Sequence, residues 1–335
     1  MKKVSVAIVG ATGLVGQEFI RTLEQRRFPM SSVRLYASDR SHGKKMRVGG
    51  AEVEVKETTA DSFSGIDVAL FSAGADISRQ FSPIAAAGGA VVVDNSAAFR
   101  MDPEVPLVVP EVNPEDIGRH RGIIANPNCS TIQMVVALFP LHRVNPIRRI
   151  TVATYQSVSG TGSAAIEELT GQSRLVLEGG EARPQVYPYR IAFNVLPEID
   201  VFMENGYTKE EWKMVEETRK IMHAPDIAVS ATCVRVPVMV GHSEAVQAEF
   251  SRPMSPQEAR EILSKAPGVR LMDNPAGRSY PYPLMAAGQD DVYVGRIRKD
   301  ASHPNGLVLW IVGDNLRKGA ALNAVQIAER LVTQN

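Results

Sequence analysis

Cysteine is scarce in this chain: Cys129 and Cys233 are the only two among 335 residues. Two thiols without metal-type spacing exclude a disulfide scaffold and a zinc site, so no metal is expected. They point to a reducing compartment, the cytoplasm. Net charge is missing too. Lys+Arg and Asp+Glu stand at 37 each, which removes the electrostatic argument for nucleic acid or an anionic membrane as partner. No apolar run reaches the length of a membrane span. Lys2-Lys3 followed by Val4 to Val9 has the outline of a signal peptide. Glycines at 10, 13 and 16, with a helical pattern after them, fit a strand, turn and helix better. Asn128-Cys129-Ser130 matches a glycosylation sequon, which means nothing in a cytoplasmic protein. There is no internal repeat and no low-complexity tail. With 44% hydrophobic and 22% charged residues, the chain is long enough for two domains with cores of their own.

The first half alternates short apolar runs with helical patterns. Val4 to Val9, Val33 to Ala37, Val68 to Ser72 and Ala90 to Asp94 read as strands. Leu14 to Leu23 and Asp76 to Ala87 read as helices, the second closed by Gly88-Gly89. Such alternation predicts a Rossmann-type, doubly wound parallel sheet with helices on both faces. The second half has longer strands: Ile150 to Gln156, Val229 to Val238, Ala245 to Phe250, Val292 to Ile297 and Leu307 to Val312. Asn305-Gly306 reads as a hairpin-type turn. With helices at Thr208 to Met222 and Ser255 to Lys265, this predicts an α+β domain on a mostly antiparallel sheet. A last helix, Asn315 to Val332, carries Leu316, Ala320, Ala324, Ile327 and Leu331 on one stripe. Residues 171–206, rich in Gly, Pro and Tyr, have no clear pattern.

Val9 to Gly16 spells a strand end, a GxxGxxG turn and a helix start. Glycines there let backbone N–H groups approach a pyrophosphate at the helix N-terminus. The expected cofactor contacts are Gly10, Thr12, Gly13, Leu14 and Val15. The bland alternative is an ordinary strand–helix turn. After the second strand comes Ser38-Asp39-Arg40-Ser41. An acidic residue at this place holds the ribose hydroxyls of NAD, whereas an Arg accepts the 2′-phosphate of NADP. Arg40 with Ser41, followed by His42, Lys44 and Lys45, favours NADP over NAD; for the two lysines a solvated loop competes.

Cys129 lies in Asn126-Pro127-Asn128-Cys129-Ser130-Thr131, just before an apolar helical run from Ile132 to Leu138. A thiol at a helix N-terminus meets the positive end of the macrodipole, which favours thiolate. The competing reading, a buried packing thiol, suits Cys233 inside its strand better. A nucleophilic thiol on a dinucleotide-binding protein suggests acyl or aldehyde chemistry through a thioester. The thiol needs a base, and His242 stands out among six histidines. It occupies a glycine turn, Val240-Gly241-His242-Ser243-Glu244, after a strand carrying Arg235. Spacing alone leaves it open whether His242 is that base or a turn residue.

Several motifs, taken in order, resemble the aspartate-β-semialdehyde dehydrogenases. They are Gly10-Ala11-Thr12-Gly13 with Val15-Gly16, Asp94-Asn95-Ser96 with Phe99-Arg100-Met101, and Asn126 to Thr131. Tyr155-Gln156, Glu210-Glu211-Trp212-Lys213, and Arg235 with His242 seven residues later complete the set. They span nearly the whole chain. Related N-acetyl-γ-glutamyl-phosphate reductases carry a Gly-Cys-Tyr-Pro type of motif where this chain has Asn-Cys-Ser-Thr. The resemblance implies roles. Cys129 is the acyl-thioester nucleophile, and His242 is the general acid/base that takes the thiol proton and protonates or deprotonates the hemithioacetal oxygen. Gln156 orients the intermediate. Arg235 grips the substrate α-carboxylate, and Glu210 lies near its ammonium. Arg100 and Lys213 hold phosphate with Asn95 and Ser96 nearby. Ser159, Gly160 and Asn315 lie near the nicotinamide; a plain loop and a helix start are the alternatives.

The residues around Glu210 have readings of their own. Thr208 and Glu211 have capping-box spacing, a structural task for Glu211. Glu210 and Lys213 share a helix face, where an ordinary surface ion pair is the competing reading. The resemblance also makes the first domain discontinuous. The expected bounds are 1–127 with 315–335 for dinucleotide binding, and 128–314 for catalysis and dimerisation. The implied reaction interconverts L-aspartyl-4-phosphate and L-aspartate-4-semialdehyde plus inorganic phosphate with NADP. It implies a place in lysine, methionine, threonine, isoleucine and diaminopimelate synthesis, and a homodimer or a tetramer of dimers. A reductase of another acyl phosphate and a non-catalytic NADP sensor are the alternatives.

Overall fold

The computed structural model describes residues 3–334. Met1, Lys2 and Asn335, which the expected domain bounds include, lie outside the described residues. The chain divides into two compact units. One runs to Asn128 and resumes at Ala320; the other is Cys129–Gly319. The chain therefore crosses between units at Asn128/Cys129 and Gly319/Ala320, where the sequence placed 127/128 and 314/315.

The first unit holds β1 (Val4–Val9), α1 (Leu14–Gln25), β2 (Met30–Ala37), β3 (Lys45–Val48) and β4 (Ala51–Glu57). It continues with β5 (Val68–Phe71), α2 (Ala75–Ala87), β6 (Val91–Asp94) and β7 (Ile123–Ala125). Sheet order is β3-β4-β2-β1-β5-β6-β7. All pairings are parallel except the β3/β4 edge hairpin. All six residues of β1 are buried, because helices cover both faces of a parallel sheet. Their β-branched side chains suit the pleat. On one face Phe19, Ile20 and Leu23 of α1 pack with Val6, Ile8 and Leu35. Ala324, Ile327, Ala328 and Leu331 of the C-terminal helix (Leu322–Gln334) join the same core. Burying a side chain such as Phe19 contributes about 1.5–3 kcal/mol. Asn323 fastens that helix, donating to Val108 O at 2.9 Å and Asn126 Oδ1 at 2.7 Å. At the end of α2, Gly89 takes φ +93, a left-handed stop that a side chain would strain.

The second unit holds α3 (Cys129–Val144), β8 (Ile147–Gln156), α4 (Ser163–Leu177), α5 (Lys209–Ile221), β9 (Ala228–Arg235) and β10 (His242–Phe250). After them come α6 (Pro256–Leu263), β11 (Val269–Leu271), α7 (Pro283–Ala286), β12 (Val292–Lys299) and β13 (Gly306–Gly313). Sheet order is β11-β12-β13-β10-β8-β9. The β12/β13, β13/β10 and β10/β8 pairs are antiparallel; the two outer pairs are parallel. The fold class matches the expectation: a Rossmann-like unit plus an α+β unit on a mostly antiparallel sheet.

Some elements differ from the sequence reading. The last helix begins at Leu322, after a wide turn at Arg317–Ala321, so Asn315 is not helical. Asn305-Gly306 does lie in the hairpin connection between antiparallel β12 and β13; Gly306 already belongs to β13, and its N–H donates to His303 O at 3.0 Å, closing a tight turn with Pro304-Asn305 at its centre. The strand carrying Arg235 ends at that residue, short of Val238, and His242 opens the next strand. Helix α4 escaped notice because few of its side chains are buried, among them Ala165, Leu169 and Gln172. The β3–β4 hairpin was missed because its residues are mostly exposed and charged.

Candidate active site

In the first unit, the turn between β1 and α1 forms one wall of a cleft of about 630 Å³. Gly10, Thr12, Gly13, Ser38, Asp39, Arg40, Thr58 and Ser72 are among its lining residues. The cleft opens where β1 lies between β2 and β5, at the carboxyl ends of the strands, the expected place for a dinucleotide. A Cβ on Gly10 would overlap the Ser72 carbonyl oxygen, and one on Gly16 would overlap Gly10 O. Gly10 also has φ +86. Glycine is therefore required for this close approach. Leu14 and Val15 begin α1, whose first turn carries no acidic residue. Thr12 Oγ1 and Ser41 Oγ are 3.4 Å apart. Asp39 Oδ1 accepts the Arg40 backbone N–H at 2.7 Å.

The loop after β6 is organised by Asp94, fully buried. It accepts Ser78 Oγ at 2.7 Å and Ser96 Oγ at 2.8 Å. Asn95 Oδ1 accepts Asn126 Nδ2 at 2.7 Å. Arg100 is buried; its Nε donates to Asn126 O at 2.9 Å and its Nη2 to Asn95 O at 3.0 Å. Asn95, Ser96 and Arg100 thus gather beside Asn126, just upstream of the crossing into the second unit.

In the second unit, Cys129 is the first residue of α3 and is partly exposed. Cys233 is the contrast. It is fully buried, burial pushes its thiol well up, and its Sγ lies 3.7 Å from Met214 Sδ. It is a packing residue. Neither thiol is in a disulfide. Among the described residues no group of three or more His, Cys, Asp or Glu could hold a metal ion.

Gln156 and Arg235 are register partners at the ends of parallel β8 and β9. Arg235 is buried and donates from Nη1 to Ser157 O at 2.7 Å; its Nε has no hydrogen-bond partner among the described residues. The Tyr187 ring caps the guanidinium, 5.9 Å from Cζ to centroid, and Tyr187 Oη donates to Thr161 Oγ1 at 3.0 Å. His242 is fully buried. Its Nδ1 accepts the Ser157 N–H at 3.0 Å and lies 3.1 Å from Ser157 Oγ, and its Nε2 has no hydrogen-bond partner among the described residues. A Cβ on Gly160 would lie 3.1 Å from Arg235 Nη1 and 3.5 Å from His242 Nε2. Arg235, His242 and Gly160 therefore converge. Burial first, then the charge of Arg235, lowers His242 from 6.5 to about 3.

A polar chain runs beside them. Thr154 Oγ1 donates to Gln156 Oε1 at 3.0 Å, and Gln156 Nε2 donates to Glu210 Oε1 at 3.0 Å. Lys213 Nζ donates to Glu210 Oε2 at 3.2 Å and Asp200 Oδ2 at 2.8 Å. Burial pushes Asp200 up, but the Lys213 hydrogen bond, the Val201 N–H and the Lys213 charge outweigh it and hold the carboxyl low. The capping box at α5 is present: Thr208 N–H donates to Glu211 Oε2 at 2.7 Å, and Glu211 N–H to Thr208 Oγ1 at 3.3 Å. Glu211 Oε1 also accepts Cys233 N–H at 2.9 Å, so its task is structural.

Asn315 is occupied inside the unit. Its Oδ1 accepts Gly241 N–H at 2.9 Å and Ser157 Oγ at 3.1 Å, and its Nδ2 donates to Ser159 Oγ at 2.9 Å. Ser157, Tyr187 and Gly319 bear on this site and were not singled out from the sequence. No residue-type pattern marks them, because their part consists of backbone groups, a ring face and an absent Cβ.

Residues 5–120 match the family described as semialdehyde dehydrogenase, NAD binding domain. Residues 138–318 match semialdehyde dehydrogenase, dimerisation domain. The protein is thus an oxidoreductase with a nicotinamide-cofactor domain and an oligomerising domain. An aspartate-semialdehyde dehydrogenase from Aquifex aeolicus (strain VF5) is 58% identical over 98% of each chain. The chain belongs to the aspartate-semialdehyde dehydrogenase family. The structure of aspartate semialdehyde dehydrogenase II from Vibrio cholerae, complexed with ASA, is 50% identical and covers 99% of each chain, with a TM-score of 0.97. An aspartate semialdehyde dehydrogenase with NADP from Candida albicans is 27% identical over 99% of each chain, with a TM-score of 0.78.

Proposed function

We propose that the protein interconverts L-aspartyl-4-phosphate and L-aspartate-4-semialdehyde plus phosphate, with NADP, through an acyl-thioester on Cys129. The convergence of Arg235 and His242 on Gly160, in the unit that also begins with Cys129, carries this reading. Arg235 is a planar bidentate donor suited to the α-carboxylate, and Tyr187 holds its plane. Glu210 offers a carboxylate to the substrate ammonium, and Gln156, bonded to it, orients the acyl group. Cys129 thiolate attacks the acyl carbon; the C–S bond forms, the C–O bond to phosphate breaks, and phosphate leaves with the electron pair. In reverse, phosphate attacks the thioester and the thiolate leaves. His242 serves the reacting oxygen from Nε2. Arg100, with Asn95 and Ser96, and Lys213 receive the phosphate.

The first-unit cleft fits a dinucleotide, since glycine is obligatory at Gly10 and Gly16 and backbone N–H groups open α1 there. Gly10, Thr12, Gly13, Leu14 and Val15 would hold the pyrophosphate, and Arg40 with Ser41 the 2′-phosphate. Bound there, NADP supplies the redox chemistry. The preference for NADP rests on Arg40 and on the Candida albicans relative, whose structure holds NADP. Ser159 and Gly160 would face the nicotinamide, with Asn315 bracing their loop. The units then correspond to a dinucleotide-binding domain and a catalytic and dimerisation domain. A homodimer, or a tetramer of dimers, would cover the exposed face of the second sheet, where Tyr155 packs on Trp310. Two cysteines outside any disulfide suit the cytoplasm. The reaction would serve lysine, methionine, threonine, isoleucine and diaminopimelate synthesis.

The test is NADPH formation from L-aspartate-4-semialdehyde and NADP, with and without phosphate. Strict phosphate dependence is expected. No signal from folded protein, with NAD tried as well, would reject this substrate and turn attention to other acyl phosphates.

A further inference from the structure

The connection between α4 and α5, residues 178–208, has no helix or strand of its own, only isolated bridges. A connection of that length is uncommon in a compact domain and is usually functional. Its backbone groups must find partners elsewhere. At Leu196 it bonds the backbone of Arg235 both ways: Leu196 N–H donates to Arg235 O at 2.9 Å, and Arg235 N–H to Leu196 O at 2.8 Å. Further upstream it puts the Tyr187 ring over the Arg235 guanidinium.

Two α4 side chains hold Tyr187 there. Glu168 and Gln172, one turn apart, share a helix face, and Gln172 Nε2 donates to Glu168 Oε1 at 2.9 Å. Glu168 Oε2 accepts the backbone N–H of Val186 and, at 3.3 Å, that of Gln185. Gln172 is buried. Its Oε1 accepts Ile191 N–H at 3.0 Å and Ala192 N–H at 3.1 Å, and its Nε2 also donates to Arg183 O at 3.3 Å. The pair thus grips the chain on both sides of Tyr187. Ile191 and Ala192 are fully buried with Val158, Ala165 and Leu169, and Tyr187 packs on the same apolar cluster. Arg235 Nη1 is fixed on Ser157 O at 2.7 Å. A bond at one end of a guanidinium leaves the tilt of its plane open; a ring against its face sets the tilt.

We propose that Glu168 and Gln172 are positioning residues: they clasp residues 183–192 so that Tyr187 stays on Arg235, and so set the affinity for the substrate α-carboxylate. This rests on the proposed function for the identity of that carboxylate. Bidentate pairing needs the guanidinium and carboxylate planes to coincide. With Tyr187 clasped, the plane is set before the substrate arrives, and less ordering is left for binding to accomplish. Glu168 and Gln172 act through the ring and take no part in the steps at Cys129 and His242. Loosening the clasp therefore weakens ground state and transition state alike, and the effect falls on KM.

Two measurements test this. In the cofactor-free protein, the Arg235 Nε–H resonance, assigned by its loss in Arg235→Lys, lies in the ring current of Tyr187 and should move in Tyr187→Leu. Glu168→Ala should move it the same way. Glu168→Gln, which keeps an acceptor oxygen for the Val186 and Gln185 N–H groups, should move it less. A resonance unmoved in Glu168→Ala would overturn the proposal. In the semialdehyde assay, Glu168→Ala should raise the KM for L-aspartate-4-semialdehyde about threefold to tenfold, with kcat and the KM for NADP within about twofold. Added to Tyr187→Leu, it should change little further, because both remove one contact. Effects that multiply, or a loss confined to kcat, would equally overturn it. If the wild-type protein does not turn over the semialdehyde, the proposed function fails, and the resonance still decides whether the clasp holds Tyr187 on Arg235.

Discussion

A Cβ atom on Gly319 would lie 2.9 Å from the Cβ of Cys129. The wide turn Arg317–Ala321, in which the Gly319 N–H donates to Asp314 O at 3.0 Å, brings bare backbone against the first residue of α3. Such i→i+5 turns recur at functional sites. Gly319→Ala should displace the thiol and lower kcat on the order of tenfold to a hundredfold. The KM for NADP should hold, and circular dichroism should show a retained fold. An unchanged kcat would show that the thiol's position does not depend on this contact.

Cys129→Ala should remove turnover, with a loss of at least about a thousandfold, as for other nucleophile deletions. Cofactor affinity, read by calorimetry, should stay at the wild-type level. Retained turnover would remove the thioester from the reaction.

Tyr187 lies over the Arg235 guanidinium with its hydroxyl on Thr161. Tyr187→Leu should raise the KM for L-aspartate-4-semialdehyde by about tenfold, the worth of one cation–π contact. Tyr187→Phe keeps the ring and should change it little. Arg235→Lys, which breaks bidentate geometry, should cost more, about a hundredfold in kcat/KM. Equal kinetics in all three variants would take this pair away from the substrate.

Glu244 is fully buried on β10, and neither of its oxygens has a hydrogen-bond partner among the described residues. Burial pushes its carboxyl well above the usual range; the nearby Gln133 amide opposes this only in part. An unfolded Glu ionises near 4.3, so above that pH the unfolded chain releases a proton that the folded chain keeps. Glu244 therefore costs stability increasingly as pH rises above the unfolded value. Glu244→Gln should raise Tm at pH 8, by roughly 2–4 °C for each kcal/mol relieved, and leave it nearly unchanged at pH 4. Calorimetric scans at the two pH values decide it; an equal shift at both would mean that the carboxyl is not held neutral.

Arg40 and Asp39 both line the cofactor cleft. Arg40→Ala should raise the KM for NADP about tenfold or more and leave that for NAD within about twofold, because only NADP carries the 2′-phosphate. Parallel loss with both cofactors would assign Arg40 a general structural task.

The strands and helices of the first unit were legible because a sheet covered on both faces demands near-continuous apolar runs, and Val4–Val9 is one. The capping box at Thr208 and Glu211 was legible because it depends on two side chains three residues apart. Helix α4 was not, since a helix with little buried surface leaves a faint apolar period. The hairpin before β13 was legible in Asn305-Gly306, but the turn is centred one residue earlier, on Pro304-Asn305, because the Gly306 N–H donates to His303 O.

By itself the sequence determined the glycine turn at Gly10 to Gly16, the thiol at the head of α3, the two-unit α/β architecture and the family. Each depends on short-range order: residue types at set spacings, and apolar periods of two or 3.6. Tertiary structure alone decided which groups surround the chemistry. Ser157 lies 85 residues from His242, and its influence comes from a backbone N–H that every non-proline residue carries. Gly319 matters through the side chain it lacks, against a cysteine far away in the chain. Such relationships arise only when the folded backbone brings distant groups within hydrogen-bond or van der Waals range, and no local pattern of letters encodes them.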